Sequence, residues 1–306
     1  MPLRQILYCF ALCLAAIAGR AEHVVAGCIG DFGHSGRFEA EVARLVKSWQ
    51  PDLILTVGDN NYPSGAVETI DLNIGQFYHE FIAPYKGAYA GGAVTNRFFP
   101  TLGNHDWLTP NAKPYLDYFT LPGNRRYYTF TNGPVQFFAL DSDGKEPDGV
   151  TADSRQGQWL MKELAASTSA WRVVYFHHAP YSSGVYHGSQ TGESDKLRWP
   201  FRAWGAHVVL TGHDHVYERL RADGLTYIVT GLGGDSFDKF HQPPIRESVK
   251  RFTGGFGALR MDATETNLTL RFITSNNRVM DTHVLFKPSA AIGASKLSVS
   301  WEVVGE

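Results

Sequence analysis

The chain has 306 residues, of which 43% are hydrophobic and 19% charged, with a formal net charge of −2. That length suits one large domain or two small ones, and the composition excludes a disordered chain. The near-neutral balance supplies no basic field for nucleic acid or for an anionic membrane surface.

Residues 1–21 read as a signal peptide. Arg4 gives a positive start, residues 6–18 form an apolar run too short to span a bilayer, and small residues follow. Cleavage after Ala21 or Ala18 would send the chain to a secreted, periplasmic or other exported compartment. It would remove Cys9 and Cys13 with Arg4 and Arg20, leaving Cys28 and a net charge of about −4. Such a chain has no internal disulfide and depends on its core. The expected organisation is a signal peptide (1–21), a catalytic domain (22–287) and a C-terminal tail (288–306), with 297–304 readable as a late strand.

Residues 24–29 are apolar and β-branched, a core strand ending at Gly30-Asp31. Residues 38–49 place Phe38, Val42, Leu45, Val46 and Trp49 at helical spacing, and Pro51 follows as a stop. Residues 53–57 are a buried strand leading into Gly58-Asp59-Asn60-Asn61-Tyr62; strand–helix–strand implies a right-handed βαβ unit. Residues 66–83 read as a helix with Leu72, Ile74, Phe77 and Phe81 inward, and 97–102 as a short strand feeding Gly103-Asn104-His105-Asp106. Residues 107–134 are rich in Pro, Gly, Asn and aromatics. They end in a hairpin, 126–131 against 135–140, turning at Asn132-Gly133.

Residues 154–166 form an amphipathic helix capped by Asp153 or Ser154, with Trp159, Leu160 and Leu164 on one face. A buried strand over 171–176 ends at His177-His178, and a polar loop over 181–194 holds His187. Residues 197–204 turn helical near their end, and a strand over 206–210 ends at Thr211-Gly212-His213. Residues 225–229, 257–261, 268–273 and 279–286 alternate like antiparallel strands of a second sheet.

Successive strand ends thus carry Asp, Asp, Asn, His and His-x-His. Each residue alone has a structural explanation: a helix cap for Asp31, a turn for Asn104, a satisfied core histidine. Strands of one parallel sheet end on one edge, where open α/β sheets bind their ligands, so the loops should converge. Carboxylate, phenolate and imidazole suit Fe, Mn or Zn, and two such cations about 3.5–4 Å apart can clamp a phosphoryl group.

The set Gly30-Asp31-Phe32-Gly33, Gly58-Asp59-Asn60-Asn61-Tyr62, Gly103-Asn104-His105-Asp106, His178-Ala179-Pro180 and Gly212-His213-Asp214-His215 resembles the five blocks of binuclear metallophosphoesterases. It most resembles purple acid phosphatases of the short, tartrate-resistant type, over residues 24–286. Phosphodiesterase-like members have Asp-x-His where this chain has Gly33. The resemblance implies an α/β fold: a four-layer αββα sandwich of two mixed sheets flanked by helices. It implies Asp31, Asp59, Tyr62 and His215 at a ferric site, and Asn104, His178 and His213 at a divalent site (Fe, Zn or Mn), with Asp59 bridging.

His105 and His187 match the histidines that contact phosphate and the leaving oxygen, with Asp106 expected to orient His105. His178 is preferred over His177 by the His-x-Pro pattern, since a one-residue shift turns a strand side chain away. His34 has no place in the pattern, and Asp214 is expected to face outward or to bond behind the ligands. The implied activity is acid phosphatase-like hydrolysis of phosphate monoesters by a metal-bound hydroxide, on small phosphate esters or phosphoproteins, in a monomer. The alternatives are a phosphodiesterase or nucleotidase on the same scaffold, or a non-catalytic metal-binding module.

Overall fold

The β-branched runs become strands, and these sort into two sheets. A computed structural model describes residues 23–287 apart from residue 193. The expected signal peptide and tail lie outside the described residues.

β1 (Val24–Ile29), β2 (Leu53–Thr56) and β3 (Phe98–Pro100) pair in parallel and begin the first sheet. The next seven strands form the second sheet. They are β4 (Tyr128–Asn132), β5 (Val135–Ala139), β6 (Trp171–His178), β7 (Val208–Gly212), β8 (Tyr217–Ala222), β9 (Leu225–Thr230) and β10 (Ser248–Phe252). The chain then returns to the first sheet with β11 (Gly257–Ala263), β12 (Asn267–Thr274) and β13 (Val279–Phe286), which add antiparallel to β1. The sheet orders are β13-β12-β11-β1-β2-β3 and β10-β8-β9-β7-β6-β5-β4. Both are mixed and carry helices on their outer faces, the four-layer α/β sandwich that was expected.

The period-2 alternation of each strand assigns its side chains to a layer. In β6, Trp171, Val173 and Tyr175 join the core between the sheets, whereas Val174 and Phe176 pack with Leu160 and Leu164 of the outer helix Arg155–Ala166. Ser154 caps that helix by accepting from Gly157 N at 3.1 Å, worth about 1 kcal/mol. On the other outer face the helix Arg37–Ser48 buries Val42, Leu45 and Val46, each worth about 1.5–3 kcal/mol when fully removed from water. Phe38 is half exposed.

Three expectations are corrected here. The helix over 66–83 is broken into Val67–Ile70, a wider π turn Asp71–Gly75, Gln76–Tyr78 and a 3₁₀ turn His79–Phe81. Its inward face is Ile70, Ile74, Tyr78 and Phe81. Leu72 sits two residues from both isoleucines, hence on the opposite side, and is exposed. β9 pairs parallel with β7 instead of joining the last strands. β8 and β10 escape sequence reading because Glu218, Arg219 and Arg221 interrupt the first and the second is largely exposed.

Candidate metal centre

The donors come from both sheets. Asp31, Asp59 and Asn104 follow β1, β2 and β3, whereas His177 ends β6 and His213 and His215 follow β7. The carboxyl ends of the two sets of strands open on one rim, so the site is shared between the sheets and is not confined to one sheet's edge.

The chain pays for this convergence in backbone strain. Asp31, Asp59 and His213 all sit in the left-handed region, at φ 56°, 52° and 72°. For non-glycine residues that conformation is uncommon and concentrates at functional sites. Gly58, at φ 90°, lets the β2 loop pass against β6: a Cβ there would lie 2.5 Å from His177 Nδ1.

Two clusters adjoin at Asp59. In the first, Tyr62 Oη donates to Asp59 Oδ2 at 3.0 Å and lies 3.3 Å from His215 Nε2, which is 3.4 Å from Asp31 Oδ1. In the second, His177 Nε2 lies 3.4 Å from Asp59 Oδ2, 2.9 Å from Asn104 Oδ1 and 3.1 Å from His213 Nδ1. Ligand atoms of Asp59, His177 and His213 all fall within 4.8 Å of one another. Asp59 Oδ2 thus faces both clusters, the position of a bridging carboxylate.

Behind the donors, a second set of bonds fixes each ring. His177 Nδ1–H donates to Val57 O at 2.8 Å, which turns Nε2 to the site. His215 Nδ1 is held by Ser236 Oγ, and its backbone N–H donates to Asp238. Asp31 accepts from His213 N with both oxygens. His105 Nδ1–H donates to Pro63 O at 2.6 Å, leaving Nε2 3.9 Å from Asp59 Oδ2, over the ring of Tyr62. His187 packs its ring 3.9 Å from that of His213 and borders a cavity that Asn104 and His213 also line.

The field at the site is negative. Burial disfavours charge on His177, but Asp59 and Asp31 outweigh it and push the imidazole up to about 10. His215 is likewise pushed up to about 9, with burial opposing and Asp31 prevailing. Burial alone would raise Asp59; His177 and His105 hold it well below the ordinary carboxylate range. Burial and the carboxylates of Asp59 and Asp31 push the Tyr62 phenol well above its usual value. A field that holds protons on buried imidazoles also attracts metal cations, and the oxygen and nitrogen donor set fits two first-row ions.

Of the expected residues, Asp31, Asp59, Tyr62, Asn104, His213 and His215 meet in these clusters, with His105 and His187 at their rim. His178 is the exception, and its place is taken by His177. Trp171, Val173 and Tyr175 face the other sheet, where Asp59 and Asn104 lie; β6 then slips register against β7 between Tyr175 and His178, and His177 is the residue whose Nε2 reaches both Asn104 Oδ1 and Asp59 Oδ2. His178 lies beside it, with its ring 4.4 Å from that of His213 and Nδ1 2.9 Å from Ser142 Oγ.

Asp106 does not orient His105. Its Oδ2 accepts from Gly103 N and from the backbone and side chain of Asn60, bracing the loop behind Asp59. Burial and the charge of Asp59 push Asp106 up to about 7. Asp214 is fully buried and accepts from His187 N, so it faces inward and supports the His187 loop. His34 pairs with Asp235 at 3.1 Å near Tyr62. Residues missed from sequence are His177, Ser142, Ser236 and Asp238; none carried a local signal, since the run before His177 is buried on both faces.

Two mixed sheets that bring carboxylate, phenol, amide and imidazole donors into adjoining clusters define a binuclear metallophosphoesterase. The family model for calcineurin-like phosphoesterases matches residues 24–217, and the chain belongs to that family. Residues 224–282 match the model of the iron/zinc purple acid phosphatase-like protein C family.

Human tartrate-resistant acid phosphatase type 5 is 27% identical over 284 residues, 79% of this chain and 85% of the human protein. Purple acid phosphatase 4 of Arabidopsis thaliana is 22% identical, over 80% of this chain and 78% of the relative. Among solved structures, the purple acid phosphatase PPD1 from yellow lupin superposes with a TM-score of 0.65 at 18% identity, over 88% of this chain and 54% of the lupin chain. GAP50, the anchor in the inner membrane complex of Plasmodium, shares the fold with a TM-score of 0.67 at 17% identity, over 87% of this chain and 90% of that one. Among the described residues no helix is long and apolar enough to cross a membrane.

Proposed function

We propose that this chain hydrolyses phosphate monoesters with a trivalent iron held by Asp31, Asp59, Tyr62 and His215 and a divalent ion held by Asp59, Asn104, His177 and His213. The observation that carries this reading is the phenol of Tyr62, 3.0 Å from the carboxylate oxygen that faces both clusters. Gly33 supports it from the other side. A Cβ there would lie 1.7 Å from Asn60 O, so the histidine of the diesterase-type pattern has no room.

When bound, a pair of cations polarises the phosphoryl oxygens and lowers the pKa of a coordinated water. The protein's own groups do the rest. As the imidazolium, His105, anchored through Nδ1–H on Pro63 O, presents Nε2–H to the leaving oxygen and delivers that proton there. His187 borders the cavity beside the second cluster with Asn104 and His213, and hydrogen-bonds the phosphoryl group from there. Val57 O keeps His177 in the tautomer that exposes Nε2, and Asp106 keeps the Asp59 loop from relaxing.

The test is a comparison of an aryl phosphate monoester with the corresponding diester on iron- and zinc-loaded protein, together with a visible spectrum. The monoester should be the better substrate by kcat/KM, and Tyr62→Phe should abolish the phenolate-to-iron absorption. A diester preference would overturn the monoesterase reading, and an unchanged Tyr62→Phe spectrum would overturn the phenolate assignment.

A further inference from the structure

The cavity beside the second cluster carries a cation that ester hydrolysis leaves unused. Its volume is about 240 Å³, and Asn104, His178, His187 and His213 border it on the side of the metal ligands. At roughly 30 Å³ per water, that is room for about eight waters, more than a phosphoryl group alone occupies.

Lys196 also lines this cavity. A Cβ built on Gly144 would lie 3.8 Å from Lys196 Nζ, so the ammonium reaches across toward the loop after β5. The other charged side chains of this rim are engaged. Asp195 pairs with Arg198 at 2.8 Å, and Lys145 donates to Trp107 O at 2.7 Å. Among the described residues Lys196 makes no ion pair.

His178 supplies a second donor. Ser142 Oγ accepts the His178 backbone N–H at 3.0 Å and lies 2.9 Å from His178 Nδ1, where its O–H can donate. With the Ser142 O–H donating to Nδ1, the imidazole proton sits on Nε2, the edge turned away from Ser142. Asp143 lines the same cavity, with Oδ1 accepting from Lys145 N. Its negative charge opposes a dianionic second phosphate more than it opposes a single carboxylate.

We propose that this cavity is a subsite for a carboxylate carried by the substrate's leaving group, ion-paired to Lys196 Nζ and hydrogen-bonded by His178 Nε2–H. The enzyme would then favour small carboxylated phosphomonoesters over neutral alkyl or aryl phosphates. This inference rests on the monoesterase reading above and specifies its substrate class.

The experiment measures calorimetric binding of phosphonoacetate and of its neutral isostere 2-oxopropylphosphonate to metal-loaded protein. Wild type should prefer phosphonoacetate by about fivefold to tenfold, the upper worth of a partly exposed ion pair with an added hydrogen bond. Lys196→Met should erase most of that preference, Lys196→Glu should reverse it, and Lys196→Arg should retain it. No preference in wild type, or the same preference in Lys196→Met, would overturn the subsite. The same preparations are assayed with an aryl phosphate. Absence of hydrolysis there would sink the monoesterase reading, whereas hydrolysis without a Lys196-dependent preference would sink only the subsite.

Discussion

His177 and His178 stand side by side, and the structure gives them opposite duties, which a pair of alanine substitutions separates. Removing the His177 imidazole deletes one of four donors around the second cluster. Partners that merely orient a ligand are worth tenfold to a hundredfold in metal affinity, so the ligand itself should be worth at least about a hundredfold, or about 2.8 kcal/mol. The substitution also strands Val57 O, which accepts His177 Nδ1–H in a fully buried setting. A buried carbonyl without a partner costs about 1–3 kcal/mol, a drop in melting temperature of roughly 2–10 °C for a domain of this size. The assay is metal content per chain after gel filtration, with calorimetric zinc titration and thermal melting of the metal-free protein. His177→Ala should retain one tightly held metal, whereas His178→Ala should retain two. If His178→Ala lost the metal while His177→Ala kept both, the assignment of His177 to the second cluster would be refuted.

Three further outcomes follow from the geometry. His105→Ala should keep its metals but lose turnover most on esters with poor leaving groups; equal losses on good and poor leaving groups would exclude proton delivery from Nε2. Gly33→Ala forces a methyl into Asn60 O, a backbone atom that cannot swing aside, and should cost about 3 kcal/mol or more in denaturant melts; a wild-type melt would show that the loop has room after all. His207 accepts Arg172 N–H at Nδ1, and burial, with Arg172 and Lys287, pushes it down to about 4. Because its folded value lies below its unfolded one, the stability it contributes is present above pH of about 6.5 and is lost as pH falls toward 4. Melts between pH 7 and 4.5 should therefore fall less steeply in His207→Asn, which keeps an acceptor at the same place.

The ligand blocks were legible because each pairs a donor with a glycine at the end of an apolar run, a pattern that survives without knowledge of the fold. What failed was three-dimensional bookkeeping. The run before His177 is apolar on both faces, so periodicity alone could not say which parity looks toward Asp59. The single-sheet assumption failed for a related reason: β1–β3 and β6–β7 are equally buried, and nothing local distinguishes strands of one sheet from strands of another. Asp106 was misassigned because it adjoins His105 in sequence; its carboxylate reaches Asn60, which is 46 residues away. Lys196 carried no signal, since a lysine beside a polar loop is usually solvated.

The first sheet is interrupted by the whole of the second, and its strand β1 gains its antiparallel neighbour β11 only near the end of the chain. During synthesis the amino-terminal half therefore emerges with Asp31 and Asp59 but without the histidines that complete either cluster. Each cation would have to be gripped by residues from both sheets at once, so loading belongs after the sandwich has closed. An ion seated there acts as a rivet between sheets: chelation should loosen the docking of the two halves as a unit rather than fray one loop.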